Sequence, residues 1–454
     1  SEGLDDITIA AEYAPLSRTL TVSQALRLVN RTGEALPTLV LRAYPNAMET
    51  LESSPAASED QIKISYPEGF SAGKLDVRGL TVNGRNAAYA YTDAARTVLA
   101  VSLAAPWAAG EELNVSVEYS VLLPKAAYRM GAYNDMVSLG NTFLIPSVWQ
   151  NGAWRDDPYY STGDPFISEC RNYHVTMTVP EGWQVGGTGY ARAERGERGD
   201  VYRMEAPAVR EFALCLSDRY VVRQAMAGDV LVTGMARTQA DADWMVDLGV
   251  KGLQYLEGLL GPYPYPTFTL CEVAFSFGGM EYPACTMIAN STFASKESEN
   301  TRLVVTHEVA HQWFYALVGT DGIDQPWQDE SICQYLILRW AEDTHGAYLR
   351  ESLEADIDTA FWLAMGSGAT PGMPIDFFPD TYSYSRGVYL QGVALFTALE
   401  EWLGKDELAG FLRAYCQEYA FQLITRADFE RLLNEYAGED LSPLLVDYLD
   451  TLSE

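Results

Sequence analysis

Two histidines and a glutamate stand at a spacing that suits metal-assisted hydrolysis. His307 and His311 are four residues apart, and Glu308 directly follows the first of them. Residues four apart share one face of a helix, so the two imidazoles can hold a single ion. Glu308 would project beside that face, where its carboxylate can take a proton from a metal-bound water. The alternative is a core helix whose histidines are satisfied by hydrogen bonds.

Glu330 is the candidate for a third metal ligand. A catalytic zinc usually takes three protein ligands and leaves one position for water or substrate. Glu330 follows His311 after one short connection, at the start of the next predicted helix. Taken alone it would be an ordinary first-turn acid, favoured there by the helix dipole. Its position relative to His311 favours the ligand interpretation.

These positions match a known signature. The pattern His-Glu-x-x-His, eighteen residues, then Glu is that of the gluzincins, and the sequence resembles the aminopeptidase N family, whose relatives include leukotriene hydrolases. Residues 278–282 (GGMEY) are similar to the family's Gly-x-Met-Glu-Asn substrate strand. Residues 389–392 (YLQG) are similar to its Tyr-x-Lys-Gly segment. The resemblance covers most of the chain and implies a zinc metallopeptidase.

The resemblance also assigns roles. His307, His311 and Glu330 would bind one Zn²⁺ per chain, and Glu308 would be the general base and later the proton shuttle.

Two tyrosines acquire roles in the same way. Tyr389 would donate its phenol hydrogen bond to the oxyanion of the tetrahedral intermediate. Tyr384 is similar to a supporting tyrosine found five residues earlier in some relatives. Most of the 28 tyrosines in the chain are expected to be packing residues, so position alone selects these two.

Glu281 would decide between trimming a chain end and cutting inside it. Its carboxylate would pair with a free α-amino group, a charge-assisted contact that blocked peptides lack. Gly278 and Gly279 would let the substrate backbone approach as an added strand, with Met280 in the same segment. The resemblance therefore implies peptide substrates with a free amino terminus. A Gly-Gly turn before a surface acid is the alternative.

The sequence departs from the family pattern at several places. Gly279 and Tyr282 stand where Ala and Asn are commonest, Leu390-Gln391 replaces a pair ending in Lys, and Gln328-Asp329 replaces Leu-Asn. Every proposed ligand and catalytic group is kept, so these changes bear on substrate preference more than on activity. The chain also stops where relatives continue into a C-terminal helical domain, which predicts a more open cleft and longer substrates.

The first half of the chain has the pattern of β-structure. Alternating apolar residues mark strands within 18–29, 113–121 and 173–179, and Asn83-Gly84 is a type I′ hairpin signal. Several short strands separated by Gly, Pro and Asn favour curved sheets or a sandwich over alternating βαβ units.

After about residue 222 the pattern becomes helical. The predicted helices cover 241–260, 301–318, about 330–342 with Asp329 as N-cap, 393–404, and two near the end that begin at Thr425 and Ser442-Pro443. We therefore expect a multidomain α+β protein. Its N-terminal all-β domain would cover 1–222, followed by a mainly α-helical domain over 223–454. The resemblance to the aminopeptidase N family implies that the first domain is saddle-like and that the second is the thermolysin-like catalytic domain.

Composition excludes some classes of function. The 454 residues include 31 Lys and Arg against 62 Asp and Glu, a net charge of −31. Such a surface repels phosphate backbones, so nucleic-acid binding is not expected. No apolar run is long enough for a membrane helix.

The six cysteines fit neither a zinc ribbon nor a dense disulfide framework, so buried free thiols are expected, with one or two bridges left open. The start, Ser1-Glu2-Gly3, lacks an initiator methionine and favours an extracytoplasmic protein with its leader removed, while a cytoplasmic location stays open. Oligomeric state is not predicted.

Three functions remain at this point. The first is a zinc aminopeptidase. The second keeps the zinc but changes the substrate, as in an endopeptidase or a leukotriene-hydrolase-like epoxide hydrolase. The third is a binding scaffold that keeps the fold without chemistry.

Overall fold

Strands dominate the first 220 residues of the computed structural model. The structure describes residues 3–56, 58–296, 298–364 and 368–451, except the side chains of 300 and 356–364. The strands of this half are β1 (Asp6–Ala14), β2 (Thr19–Val29), β3 (Leu36–Arg42), β4 (Lys74–Val82), β5 (Arg85–Asn86), β6 (Tyr89–Tyr91), β7 (Val98–Trp107), β8 (Glu112–Leu122), β9 (Met130–Tyr133), β10 (Met136–Leu139), β11 (Ile145–Pro146), β12 (Trp149–Gln150), β13 (Ala153–Trp154), β14 (Arg171–Val179), β15 (Gln184–Gly187), β16 (Tyr190–Arg195), β17 (Asp200–Val209) and β18 (Leu214–Ser217). The predicted β-rich first half is therefore confirmed.

The second half is mostly helical around one sheet. Its strands are β19 (Val221–Ala227), β20 (Val230–Ala236), β21 (Thr267–Val273), β22 (Gly279–Met280) and β23 (Cys285–Ala289). The α-helices of the described residues in both halves are α1 (Glu59–Ser65), α2 (Gln239–Leu260), α3 (Glu299–Ala310), α4 (Trp327–His345), α5 (Ala347–Ala364), α6 (Thr381–Tyr384), α7 (Gly392–Leu403), α8 (Lys405–Glu418), α9 (Arg426–Ala437) and α10 (Ser442–Leu449). A π-helical segment, Ser385–Gln391, joins α6 to α7, and short 3₁₀ turns cover Tyr44–Met48, Asn290–Ser295 and Ile375–Phe377.

The first half is built on an eight-stranded sheet of order β16-β17-β14-β1-β2-β8-β4-β5. The alternation of apolar and polar residues explains why these segments form a sheet with one buried face. In β2 every second residue is buried and the residues between face solvent. Burying one such large apolar side chain stabilises the fold by about 1.5–3 kcal/mol. The predicted hairpin is present between β4 and β5, where Asn83 and Gly84 have φ of 48° and 75°, as a type I′ turn requires.

Three smaller sheets complete this half. They have the orders β15-β18-β10-β9, β11-β3-β7-β6 and β12-β13. The first of them packs against the second half, since β15 and β10 both contact β21.

The second half opens with a five-stranded sheet of order β19-β20-β21-β23-β22. Helix α2 connects β20 to the parallel strand β21, and every residue of β21 is buried, as is typical of a parallel strand covered on both faces. Strand β22 is the edge strand and pairs antiparallel with β23. The sheet starts at Val221, so the predicted boundary at 222 falls inside β19; where the domains divide stays a prediction.

Two helix predictions need correction. The helix expected over 301–318 ends at Ala310, because the chain then turns: the Ala316 amide donates to the His311 carbonyl, and Tyr315 has a φ of 123°. Helix α4 begins at Trp327 with Pro326 as its N-cap, so Asp329 lies inside the first turn and is not the cap.

The C-terminal helices agree with their sequence signals. Thr425 caps α9 with a capping box to Asp428, Gly438 ends it in the left-handed conformation, and α10 begins with a proline in its first turn. Among the described residues no helix is both long and apolar enough to cross a membrane.

Candidate active site

Helices α3 and α4 bring the three predicted ligands into contact. His307 lies in the last turn of α3, His311 is its C-cap residue, and Glu330 lies in the first turn of α4. The Nε2 atoms of the two imidazoles are 3.0 Å apart. Glu330 Oε2 is 3.1 Å from His307 Nε2 and 3.2 Å from His311 Nε2. All three side chains are buried.

This triangle has the dimensions of one face of a tetrahedral coordination shell. Ligand atoms placed 2.0–2.1 Å from a tetrahedral zinc lie about 3.3 Å from one another. The observed separations of 3.0–3.2 Å therefore leave room for one ion equidistant from the three atoms. Two nitrogens and one carboxylate oxygen also form a donor set that zinc favours in catalytic sites.

The orientation of His311 suits a ligand. Its Nδ1 lies 3.0 Å from the Phe314 carbonyl, in the turn that ends α3. A carbonyl only accepts, so Nδ1 carries the proton and the Nε2 lone pair faces the centre of the triangle. The early end of α3, which periodicity failed to predict, therefore supplies the partner that fixes this tautomer.

Glu330 is held in its ionised form. Burial opposes ionisation, but the imidazoles of His311 and His307 outweigh it and hold the pKa of the Glu330 carboxyl well below its usual range. Its second oxygen, Oε1, accepts a hydrogen bond of 2.5 Å from the Tyr389 hydroxyl. The Tyr389 phenol therefore lies at the edge of the ligand triangle.

Glu308 projects from α3 beside the ligand triangle. Its side chain is buried, and its Oε2 has no hydrogen-bond partner in the described part of the chain. Burial raises the pKa of Glu308 to about 8, and a divalent cation nearby would pull it down again. A carboxyl tuned toward neutrality is suited to accepting and returning a proton.

The predicted substrate segment runs directly across α3. A Cβ on Gly278 would lie 3.1 Å from Val304 Cγ1, and one on Gly279 would lie 2.5 Å from Glu308 Oε1. Gly279 and Met280 form the edge strand β22, and Met280 is buried. Because Gly278 and Gly279 carry no side chains, the backbone of this strand lies directly against Glu308, the proposed base.

Gln312 was not singled out by sequence analysis and fixes that segment. Its Oε1 accepts from the Ala284 amide at 2.8 Å, and its Nε2 donates to the Glu281 and Tyr282 carbonyls at 3.4 and 3.3 Å. One residue beyond His311, it ties the substrate strand to the end of the ligand helix.

Tyr282, the departure from the family asparagine, is anchored in the first half of the chain. Its hydroxyl donates to Asn141 Oδ1 at 2.8 Å, and a Cβ on Gly140 would lie only 2.1 Å from that hydroxyl. A glycine in the first half makes space for the larger residue.

Glu281 faces the ligand triangle together with an acid that sequence analysis missed. Carboxylate oxygens of Asp164, Glu281 and Glu330 lie within 4.8 Å of one another. Asp164 forms a 2.6 Å ion pair with Arg129, whereas no donor among the described residues reaches the Glu281 carboxylate. Burial and the nearby Asp164 raise the pKa of Glu281 well above its usual range.

Asp164 and Arg129 lie in the first half, more than a hundred residues before Glu281. Neither belongs to a periodic element or to one of the motifs, so only the folded arrangement reveals them.

The segment with Tyr389 is π-helical and packs closely on α4. A Cβ on Gly392 would lie 2.0 Å from Ser331 Oγ, which in turn donates to the Val388 carbonyl at 2.7 Å. Ser331 neighbours Glu330, so this approach sets the distance between Tyr389 and the ligand triangle. The Tyr389 ring also stacks on His307, with centroids 5.6 Å apart and planes at 25°.

Tyr384 is buried at the end of α6. Its ring lies edge-on to Tyr389 with centroids 5.8 Å apart. It lines the same small pocket as Glu281 and Met280.

Two cavities flank the centre. The one that holds Glu281, Asp164 and Tyr384 is about 70 Å³ and has aromatic walls at Tyr128 and Phe277. The other is about 330 Å³, and its lining is mostly apolar. Its walls are Gly278, Gly279, Leu303, Val304, His307, Glu308, Gln334, Ile337, Leu353 and Tyr389. Gly279 therefore lines both the small acidic compartment and the larger apolar one, and Glu308 lines the larger one.

Sequence comparison identifies one family model and several relatives that this chain resembles. Residues 244–448 match the family model described as the peptidase family M1 domain. The chain is 29% identical over 217 residues to a leukotriene A-4 hydrolase of Xenopus laevis, a match that covers 44% of this chain and 33% of that protein. It is 25% identical over 230 residues to an aminopeptidase N of Lactococcus lactis, covering 48% and 27%. The matches thus span about a third or less of these relatives' own length.

Solved structures share the fold over nearly the whole chain. An M1 zinc metallopeptidase of Deinococcus radiodurans superposes with a TM-score of 0.67 at 17% identity, covering 99% of this chain and 93% of that one. A yeast LTA4 hydrolase in complex with bestatin has a TM-score of 0.70 at 17% identity, covering 99% and 68%. At this identity the likeness concerns the fold. Taken with the family model over residues 244–448 and the convergence of the motif residues, it supports a relationship to peptidase family M1, the family of aminopeptidase N and other zinc metallopeptidases.

Proposed function

We propose that this chain is a zinc-dependent aminopeptidase that hydrolyses the first peptide bond of peptides with a free amino terminus. The observation that supports this most directly is the position of Glu281, a buried carboxyl beside the ligand triangle that has no ion-pair partner among the described residues.

Charge balance in the small compartment favours a cationic ligand. Arg129 compensates Asp164 at 2.6 Å, whereas no such cation lies against Glu281 among the described residues, and its pKa is raised, so it holds its proton until a cation arrives. A buried charge without a partner is costly, and a protonated α-amino group would remove that cost through charge-assisted hydrogen bonds.

Distances favour cleavage after one residue. Oxygens of Glu281 and of the ligand Glu330 lie within 4.8 Å of each other. In a peptide, the α-amino nitrogen and the carbonyl carbon of the same residue are two bonds, about 2.5 Å, apart. An amino group bound at Glu281 thus brings the first carbonyl, and no later one, to the ligand triangle.

The reaction needs an electrophile, a base and an oxyanion donor. Zinc, held by His307, His311 and Glu330, supplies carbonyl polarisation and a more acidic water. Glu308 takes the proton of the attacking water and returns it to the leaving amine. Tyr389 turns its hydroxyl from Glu330 to the oxyanion that develops on the scissile carbonyl.

The two cavities divide the substrate between them. The first side chain occupies the aromatic-walled compartment beside Glu281, and the leaving peptide extends along the apolar cavity of about 330 Å³. A mutant of the Deinococcus radiodurans enzyme has been solved with a bound Tyr-Ser-Ala substrate, which supports a peptide in this cleft.

A comparison of free and N-acetylated peptides tests the proposal. We expect the free peptide to lose only its first residue, and kcat/KM for the acetylated form to be lower by about 10- to 100-fold or more, since a hydrogen bond to a charged group contributes about 1.5–3 kcal/mol. In Glu281→Gln the preference for the free form should shrink, while the exposed-site control Glu401→Gln keeps it.

Other outcomes would contradict the proposal. Equal cleavage of both peptides, or cuts at internal bonds, would point to an endopeptidase. One zinc per chain without any peptide hydrolysis would refute a peptidase function.

A further inference from the structure

A second group of metal-ligating side chains lies outside the active site. The Sγ atoms of Cys215, Cys271 and Cys285 lie within 4.8 Å of one another, and each of the three side chains is completely buried. They come from β18, β21 and β23, strands of two different sheets. We call this group the thiol cluster.

The backbone around the thiol cluster leaves space for it. Gly186 is the register partner of Cys215, and a Cβ there would lie 2.6 Å from Cys271 Sγ and 2.5 Å from Met235 Sδ. Met235 is in turn the register partner of Cys271. A thioether therefore borders the three thiols, and an alanine at position 186 would collide with two of the sulfur atoms.

The donor set is entirely soft. Within the described part of the chain, no histidine, aspartate or glutamate joins the group. Thiolate and thioether sulfurs select soft ions such as Cu(I), whereas structural zinc sites almost always need a fourth strong ligand. In a trigonal site with metal–sulfur bonds of about 2.3 Å the sulfur atoms lie about 4 Å apart. The three Sγ atoms here lie within 4.8 Å of one another, which is compatible with that separation.

We propose that the thiol cluster is a second metal site, which binds one Cu(I) ion through Cys215, Cys271 and Cys285 with Met235 as a weak neighbour. On binding, each thiol that becomes a ligand releases its proton to solvent, and the ion stays monovalent. The other cysteines, Cys170, Cys333 and Cys416, are buried and free and belong to no such group within the described ranges.

The bound ion would join the two halves of the chain. Cys215 belongs to the sheet of the first half, while Cys271 and Cys285 belong to the five-stranded sheet. Strand β23 pairs with β22, which carries Gly279 and Met280. Cu(I) would thus anchor the hairpin of the substrate strand and raise the stability of the folded chain.

Donor type separates this site from the active site. The nitrogen and carboxylate ligands of His307, His311 and Glu330 suit zinc, and the sulfur ligands suit Cu(I). Cu(I) binding at the thiol cluster is independent of peptidase activity and is measured by metal content, coordination and stability.

The test uses the reduced, zinc-loaded full chain under anaerobic conditions. Cu(I) is added as its acetonitrile complex, excess is removed, and copper is counted per chain. X-ray absorption at the copper edge identifies the ligands, and thermal unfolding is followed with and without copper. Cys271→Ala removes one ligand, and Cys416→Ala removes a buried thiol elsewhere as the matched control.

We expect one copper per chain with sulfur neighbours only and a higher melting temperature in the wild type and in Cys416→Ala, and neither in Cys271→Ala. Nitrogen neighbours at the copper, no retained copper in the wild type, or unchanged copper in Cys271→Ala would overturn the site. So would a disulfide between two of the three cluster cysteines, mapped by mass spectrometry in the chain before reduction. If Cys271→Ala does not fold, the coordination and melting data of the wild type decide.

Discussion

Three glutamates in one cleft differ in protonation because their neighbours differ. Glu330 faces two imidazoles, which hold its pKa down despite burial. Glu308 and Glu281 are buried with no comparable cation, and burial raises both pKa values. The same side chain can therefore act as an ionised ligand, as a proton carrier or as an anchor for an ammonium group, depending on its surroundings.

Replacing the proposed base separates metal binding from turnover. Glu308→Gln keeps the size of the side chain and leaves His307, His311 and Glu330 untouched, so the variant should still bind one zinc per chain. It should lose about 10²- to 10⁴-fold in kcat, the range expected for removing a general base. Elemental analysis and kcat measured on a free dipeptide amide check the two parts.

The control for this variant is Glu401→Gln, an exposed glutamate on α7. It should match the wild type in zinc content and in kcat. A Glu308→Gln enzyme with wild-type kcat and full zinc would show that another group moves the proton.

At the scale of elements, the close approach of the π-helical segment to α4 positions Tyr389. Gly392→Ala would place a methyl group 2.0 Å from Ser331 Oγ and 2.8 Å from Ser331 Cβ. Overpacking of this kind costs about 1–3 kcal/mol, and it should push Tyr389 away from Glu330. We expect a lower free energy of unfolding in urea and a lower kcat.

A glycine with free space provides the matched control. Gly258 lies inside α2, and nothing lies within 4 Å of the Cβ that an alanine would add. Gly258→Ala should stabilise the protein by about 0.5–1 kcal/mol and leave kcat unchanged. If Gly392→Ala behaved like Gly258→Ala, the close approach would have no role in placing the tyrosine.

Local sequence patterns predicted most helices and strands correctly, and they failed where contacts with residues distant in the sequence determine the structure. The alternation in β2 and the cap at Thr425 are local signals, and both predictions are confirmed. The end of α3 is not local: Tyr315 has a φ of 123°, a conformation that costs a non-glycine residue about 1–3 kcal/mol. Arg210 from the first half holds it there by donating to its carbonyl at 2.7 Å.

The residues of the candidate site also differ in whether the sequence alone could predict them. His307, Glu308 and His311 could be predicted because their spacing on one helix carries the chemistry. Asp164 could not, because only the packing of the two halves brings it to Glu281. Sequence motifs therefore predict the ligand triangle more completely than they predict the compartment for the substrate amino group.

At the scale of the whole molecule, the first half supports the end of the ligand helix. Arg210 donates to the carbonyls of Tyr315 and Leu317, and a Cβ on Gly319 would lie 2.1 Å from its Cζ. These contacts begin four residues after His311. The two halves are thus coupled through buried polar groups at the site itself.

Glu211 makes this coupling dependent on pH. Its Oε2 accepts from Asn141 Nδ2 and from the Tyr315 hydroxyl, both at 3.0 Å, and burial raises its pKa to about 8. A carboxyl with a raised pKa stabilises the fold below its unfolded pKa of about 4.3, and that stability is lost as pH rises toward 8. Glutamine does not titrate. As the pH rises from 5 to 8, the free energy of unfolding of Glu211→Gln should therefore increase relative to that of the wild type, by up to about 1.4 kcal/mol per pH unit. Urea unfolding of both proteins, with Glu401→Gln as control, measures this difference; a difference constant with pH would mean that Glu211 is ionised throughout and that the junction is stabilised as a buried anion.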